Sequence, residues 1–142
     1  MTRAYVQRAR AESADRTRRQ VLDAARKAVL AEGRLEFSVG DVATSAGVAR
    51  STIYTAFGSR TGLLAALADD ALERAGLGDV IAEYRQPDAV VAMERSLLAN
   101  CRMYAADHRV FTRLLMLREI DPEAAEPLAR SQGDRAFGMA DL

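Results

Sequence analysis

Gly47 and Gly58 bracket the segment Val48-Ala49-Arg50-Ser51-Thr52-Ile53-Tyr54-Thr55-Ala56-Phe57, and this punctuation constrains the chain more than any other feature. Glycine supplies the left-handed backbone on which a helix ends and a tight turn begins. A helix confined between two such stops is too short to stand alone, so it must pack on a partner. That partner lies just upstream. Ser38 offers a hydroxyl to the open amides of a second helix, and Asp41 completes a capping-box pattern. That helix ends near Ala46. Small Ala43 lets the two helices cross closely, Gly47 makes the turn, and Val42, Val48, Ile53 and Phe57 supply a shared core. The stretch reads as a helix-turn-helix.

Helical periodicity extends through the rest of the chain, with no alternating β-branched run. A first helix is expected from about Asp15 to Glu32, with Val21, Leu22, Ala25, Ala28 and Val29 inward and Gly33 ending it. Residues 1–14 carry Arg3, Arg8 and Arg10 but no strong apolar stripe, and are expected to be a mobile basic arm. The recognition segment should be helical from about Arg50 to Phe57. A fourth helix should run from Ser59 to about Ala75, with Leu63, Leu64, Leu67 and Leu72 inward, until Gly76-Leu77-Gly78 breaks it. Beyond Pro87, Asp88 caps a helix to about Ala106 whose inward stripe is Val90, Met93, Leu97, Cys101 and Tyr104. Another spans Arg109 to Glu119, and Asp121-Pro122 opens a last helix that Pro127 should limit. The fold class is all-α: an N-terminal three-helix helix-turn-helix DNA-binding domain (15–60, after the arm 1–14), followed by a helical C-terminal regulatory domain (61–142).

A net charge of zero conceals a polarity. Residues 1–60 hold eleven basic side chains against six acidic ones, and residues 61–142 hold nine against fourteen. A basic half joined to an acidic half fits a nucleic-acid-binding module with a separate second module, although such an excess also suits a solvated face.

At about 100° per residue, Ile53 and Phe57 share one face of the third helix while Ser51 and Thr55 point away, flanked by Tyr54 and Thr52. Arginine can read guanine, hydroxyls donate or accept, and a threonine methyl touches thymine, so Arg50, Ser51, Thr52, Tyr54 and Thr55 suit a major groove. The alternative is a small-residue helix with solvated hydroxyls. Arg60 stands in the first turn of the fourth helix, where a cation opposes the dipole unless an anion is shared. It is a candidate phosphate clamp, or else a plain exposed arginine. Ser38, Arg50, Ser51, Thr52, Tyr54, Thr55 and Arg60 form the candidate DNA-binding set.

From about Thr17 to Leu64 the chain resembles the DNA-binding domain of the TetR (tetracycline-repressor) family of bacterial transcriptional regulators. The resemblance rests on Val21-Leu22-Asp23-Ala24-Ala25, Gly33, Val42-Ala43, Ala46-Gly47-Val48, Thr52-Ile53-Tyr54, Phe57, Ser59-Arg60 and Leu63-Leu64. It implies a homodimeric repressor that binds a palindromic operator and releases it when a small molecule enters a C-terminal pocket. It also implies phosphate contacts at Tyr54 and Arg60, base-facing roles for Arg50, Ser51 and Thr55, and further minor-groove or backbone contacts from the basic arm. The chain departs from the pattern at Ala49, where Ser or Thr usually caps the third helix. Ala56 replaces a common His or Tyr, and Gly62 replaces an acidic or polar residue. Family members also continue for several more helices, so a chain stopping at Leu142 is expected to be a fragment or to pair in another way.

Met93, Leu97, Cys101, Tyr104, Phe111, Leu114 and Leu115 are candidates to line the effector pocket, their alternative being ordinary core. No catalytic constellation, cofactor motif or metal set is found. Gly76-Leu77-Gly78 lacks the next glycine and a preceding strand, and adjacent Asp69-Asp70 point apart on a helix. A lone Cys101 excludes an internal disulfide. No apolar run approaches the ~20 residues of a membrane span, and the N-terminus lacks a secretory apolar stretch. The expected location is therefore the cytoplasm. The expected partners are a double-stranded DNA operator, an unidentified effector and a second copy of the chain. A rival reading is a truncated helical module that pairs with a full-length regulator and modulates its DNA binding.

Overall fold

The structure, a computed structural model, describes residues 3–31 and 36–137, which form helices and no strand. In chain order these are α1 (Arg3–Leu30), α2 (Val39–Ala46), α3 (Arg50–Phe57), α4 (Arg60–Arg74), α5 (Leu77–Tyr84), α6 (Ala89–Ala106), α7 (His108–Ile120) and α8 (Pro122–Phe137). The chain divides into two units, Met1–Leu63 and Leu64–Leu142, with α4 crossing the division.

In the first unit, α1 packs on α2 and α2 on α3. Val21, Leu22, Ala24, Ala25 and Val29 of α1 are buried, as are Phe37, Val39, Val42, Ala43 and Ile53. Ile53 is fully enclosed, and burying a side chain of that size contributes roughly 1.5–3 kcal/mol. Ser38 caps α2 as expected, its Oγ accepting from the Asp41 amide at 3.3 Å. Gly47 takes a left-handed conformation (φ 67°), and Val48 donates to the Ala43 carbonyl at 3.0 Å to close the turn. Gly58 (φ 77°) ends α3, donating to Tyr54 at 2.8 Å.

α1 overturns one expectation. Residues 3–14 are helical rather than an irregular arm. Their exposed surface explains the missing apolar stripe, yet the segment contains neither Gly nor Pro and is rich in Ala, Arg, Gln and Glu. Good helix formers extend an existing helix without a new nucleation cost, and Arg8 pairs with Glu12 one turn on at 3.1 Å. The predicted stop at Glu32 and Gly33 lies outside the described residues.

In the second unit α5 packs on α6, α6 on α7 and α7 on α8. Gly76 (φ 98°) ends the run from α4, but Leu77 and Gly78 open a helix instead of breaking one. α5 carries Leu77, Val80, Ile81 and Tyr84 at helical spacing, and Val80 is buried. Asp88 caps α6, its Oδ1 accepting from Val90 and Val91 at 2.9 and 3.0 Å. The inward face of α6 is not the expected one. Ala92, Ser96 and Met103 are buried, whereas Val90, Met93, Leu97, Cys101 and Tyr104 are exposed. Small Ala92 and Ser96 let a neighbouring axis approach closely, and this rotates the bulkier stripe outward.

Asp121 caps α8 behind an N1 proline, as expected, accepting from Glu123 and Ala124 at 3.0 and 3.3 Å. α8 nevertheless continues through Pro127. Fully buried Ala124 and nearly buried Leu128 lie on either side of the proline, and their packing offsets the lost backbone bond. No helix among the described residues is long and apolar enough to cross a membrane.

Candidate nucleic-acid interface

α3 is anchored on one side and open on the other. Ile53 is fully buried and Phe57 half-buried, while Arg50, Ser51, Tyr54 and Thr55 are exposed and Thr52 is half-buried. The outward set predicted from angular spacing is therefore the set that faces water. Within it the chemistry differs from residue to residue. The Thr55 hydroxyl donates to the Ser51 carbonyl at 2.9 Å, which leaves its lone pairs and its methyl as what it can offer a base. Tyr54 is 46% exposed, with its ring flanking the hydroxyl-bearing face.

Arg50 is folded back. Its guanidinium lies over Gly40 of α2, where a Cβ would collide with Nη2 and come within 2.9 Å of the guanidinium carbon. A missing side chain on one helix thus makes the resting place for the charge on the next.

Arg60 is partly buried. Its Nε donates to the Phe37 carbonyl at 3.0 Å, and the guanidinium carbon lies 5.9 Å from the Phe37 ring centroid. It ties the segment before α2 to the start of α4. Ser59 caps α4, accepting from the Gly62 amide at 2.9 Å. Gly62 is sterically required: a Cβ there would run into the Phe57 carbonyl oxygen. Its departure from the family pattern thus fits the way α3 ends against α4. Ser38 is half-buried and occupied as a cap.

Sequence reasoning missed Arg18. Its Nη1 donates to the Ala56 carbonyl at 3.2 Å and its guanidinium lies 4.4 Å over the Phe57 ring, placing a cation at the C-terminal end of α3. The signal was present: Arg18 precedes Val21 and Leu22 at helical spacing, so it stands at the end of the buried stripe.

Residues 21–67 match the family model for bacterial regulatory proteins of the tetR family. The chain carries a TetR-family domain. Neither the curated proteins nor the solved structures gave a match to the chain. The TetR domain covers α2, α3, the packed part of α1 and the first half of α4, and it marks the chain as a DNA-binding transcriptional regulator.

The effector candidates separate in the second unit. Met93, Leu97, Cys101 and Tyr104 line an apolar cleft of about 390 Å³, together with Tyr84, Ser96 and Asn100. Phe111 and Leu114 are buried in the core, although Phe111 meets the Tyr104 ring edge-on at 5.1 Å. Leu115 is 41% exposed and does not line the cleft.

Proposed function

We propose that the chain is a ligand-responsive repressor that binds a palindromic operator as a homodimer through α3 and releases it when a small molecule binds in the second unit. One observation carries the DNA-facing half of this proposal. The TetR domain presents Ser51, Tyr54 and Thr55 to solvent on a helix whose opposite face is locked by Ile53. Arg50, Ser51, Thr52 and Thr55 are assigned to base edges, and Tyr54, Arg60 and the start of α2 at Ser38 to phosphates. Two α3 helices in a dimer must lie about 34–36 Å apart to enter successive major grooves. The apolar cleft bounded by Met93, Leu97, Cys101 and Tyr104 supports an effector site. An effector that favours a different α3 spacing lowers affinity by its differential binding to the two states. Selection from random-sequence duplexes tests the proposal: a palindrome should be enriched, and the absence of any enriched sequence overturns it.

A second reading is favoured by the exposed apolar side chains of α6 and α7, Val90, Leu97, Leu98, Met116 and Ile120 among them. On that reading the second unit docks on a longer regulator and modulates its binding. Sedimentation separates the two, since a stable homodimer speaks for the repressor and a monomer that pairs only with a relative speaks for the module.

A further inference from the structure

α1 is longer than its packing requires. Its fully buried positions begin at Val21, while every residue from Tyr5 to Arg16 is exposed. Arg18 marks the root of the projecting part, because its contacts with Ala56 and Phe57 hold α1 against the C-terminal end of α3. From there back to Tyr5 the helix extends for about 20 Å, at ~1.5 Å per residue. Positions 3–19 carry six arginines against two carboxylates, Glu12 and Asp15, and Glu12 is already engaged by Arg8 at 3.1 Å. Among the described residues, Arg10 and Arg16 make neither a hydrogen bond nor an ion pair.

We propose that this projecting, arginine-rich part of α1 is a second DNA-docking element, a helix that lies on the sugar-phosphate backbone beside the groove occupied by α3. It rests on the assignment of α3 to the major groove. Helix dimensions decide how it binds. A helix with its side chains is about 10–12 Å across and the minor groove about 6 Å wide, so a helical arm does not thread that groove as an extended arm does. Its charges also point in several directions: at about 100° per residue, Arg10 and Arg16 lie roughly 120° apart around the axis. That spread suits a diffuse line of phosphates and not a single base edge. The contribution is therefore electrostatic, independent of sequence and steeply dependent on salt.

The test is the full chain carrying Arg10→Gln with Arg16→Gln. Glutamine keeps the helix propensity, and unchanged circular dichroism confirms that α1 is intact. Affinity for a mixed-sequence duplex several turns long is followed by fluorescence anisotropy across a salt series, and repeated on the duplex selected by the wild-type chain. The expected result is a salt slope smaller by about two units on both duplexes, at about 0.9 per phosphate contact, with the selected sequence unchanged. Exchange of A·T for G·C pairs beside the site should leave wild-type affinity unchanged, and a preference lost in the variant would reveal a minor-groove arm and overturn the proposal. An unchanged slope with normal wild-type binding overturns the proposal and leaves the role of α3 standing. If the substitutions abolish binding to anionic lipid vesicles and leave the DNA slope alone, the occupant is a membrane surface. Failure of the wild-type chain to bind any duplex removes both readings.

Discussion

The Arg18 guanidinium lies 4.4 Å over the Phe57 ring while donating to the Ala56 carbonyl at 3.2 Å, so one side chain of α1 closes the C-terminal end of α3. The cation meets the negative end of the α3 dipole and the face of an aromatic ring together. Arg18→Ala is expected to lower stability by about 1–2 kcal/mol, read from urea unfolding. Arg18→Lys should recover part of this, because it restores the charge but not the planar stacking.

Gly62 gives a prediction whose sign separates packing from propensity. On propensity alone, Gly62→Ala in a helix gains up to ~1 kcal/mol. A Cβ at this position meets the Phe57 carbonyl oxygen, a backbone atom that cannot swing away. The substitution is therefore expected to destabilise by about 1–3 kcal/mol in thermal unfolding, and a rise in Tm would refute this account of the α3–α4 junction.

Ala49 occupies the N-cap of α3 with extended backbone (φ −72°, ψ 150°) and no side-chain bond to the open amides. The geometry already suits a hydroxyl, so Ala49→Ser should stabilise by about 0.5–1 kcal/mol. Circular dichroism melts check the gain, and the duplex sequence selected by the protein should not change.

The helix-turn-helix was legible because its signals are local. Ser38, Gly47 and Gly58 dictate caps and turns whatever surrounds them, and Ile53 with Phe57 fixes which side of α3 faces in. Three errors share a different origin. Periodicity detects helices that pack, so the exposed first turns of α1 gave no signal. In α5 the weight given to Gly76 and Gly78 masked Leu77, Val80, Ile81 and Tyr84, which stand at helical spacing. In α6 two stripes were available, and the larger residues were chosen. A close crossing favours the smaller Ala92 and Ser96, and the identity of the neighbour is not written in α6 itself.

Arg60 has two separable duties. Its Nε bond to Phe37 fixes the segment before α2, and its charge sits at the start of a helix where a phosphate is welcome. Arg60→Ala is expected to cost about 1–2 kcal/mol of stability and to reduce the salt slope of duplex binding by about one unit. Arg60→Lys keeps the charge and loses the fork, so the slope should return while the stability does not. A full slope in Arg60→Ala would confine Arg60 to a structural role.

The sharpest test of base readout lies on a helix that supplies none of the residues assigned to bases. The Arg50 guanidinium rests over Gly40 of α2, and a Cβ there would displace it. The group displaced is the far end of a flexible side chain, so Gly40→Ala should be cheap for the fold or even stabilise it by up to ~1 kcal/mol. If Arg50 contacts a base from this resting place, moving it changes the preferred sequence at one position of each half-site, with about 1–3 kcal/mol of altered discrimination. Arg50→Ala should erase discrimination at that same position, and Thr55→Ala should act at a different one. Competition with single-substitution duplexes measures all three variants. A change in preference that Gly40→Ala and Arg50→Ala do not share would show that Arg50 does not read bases from α2.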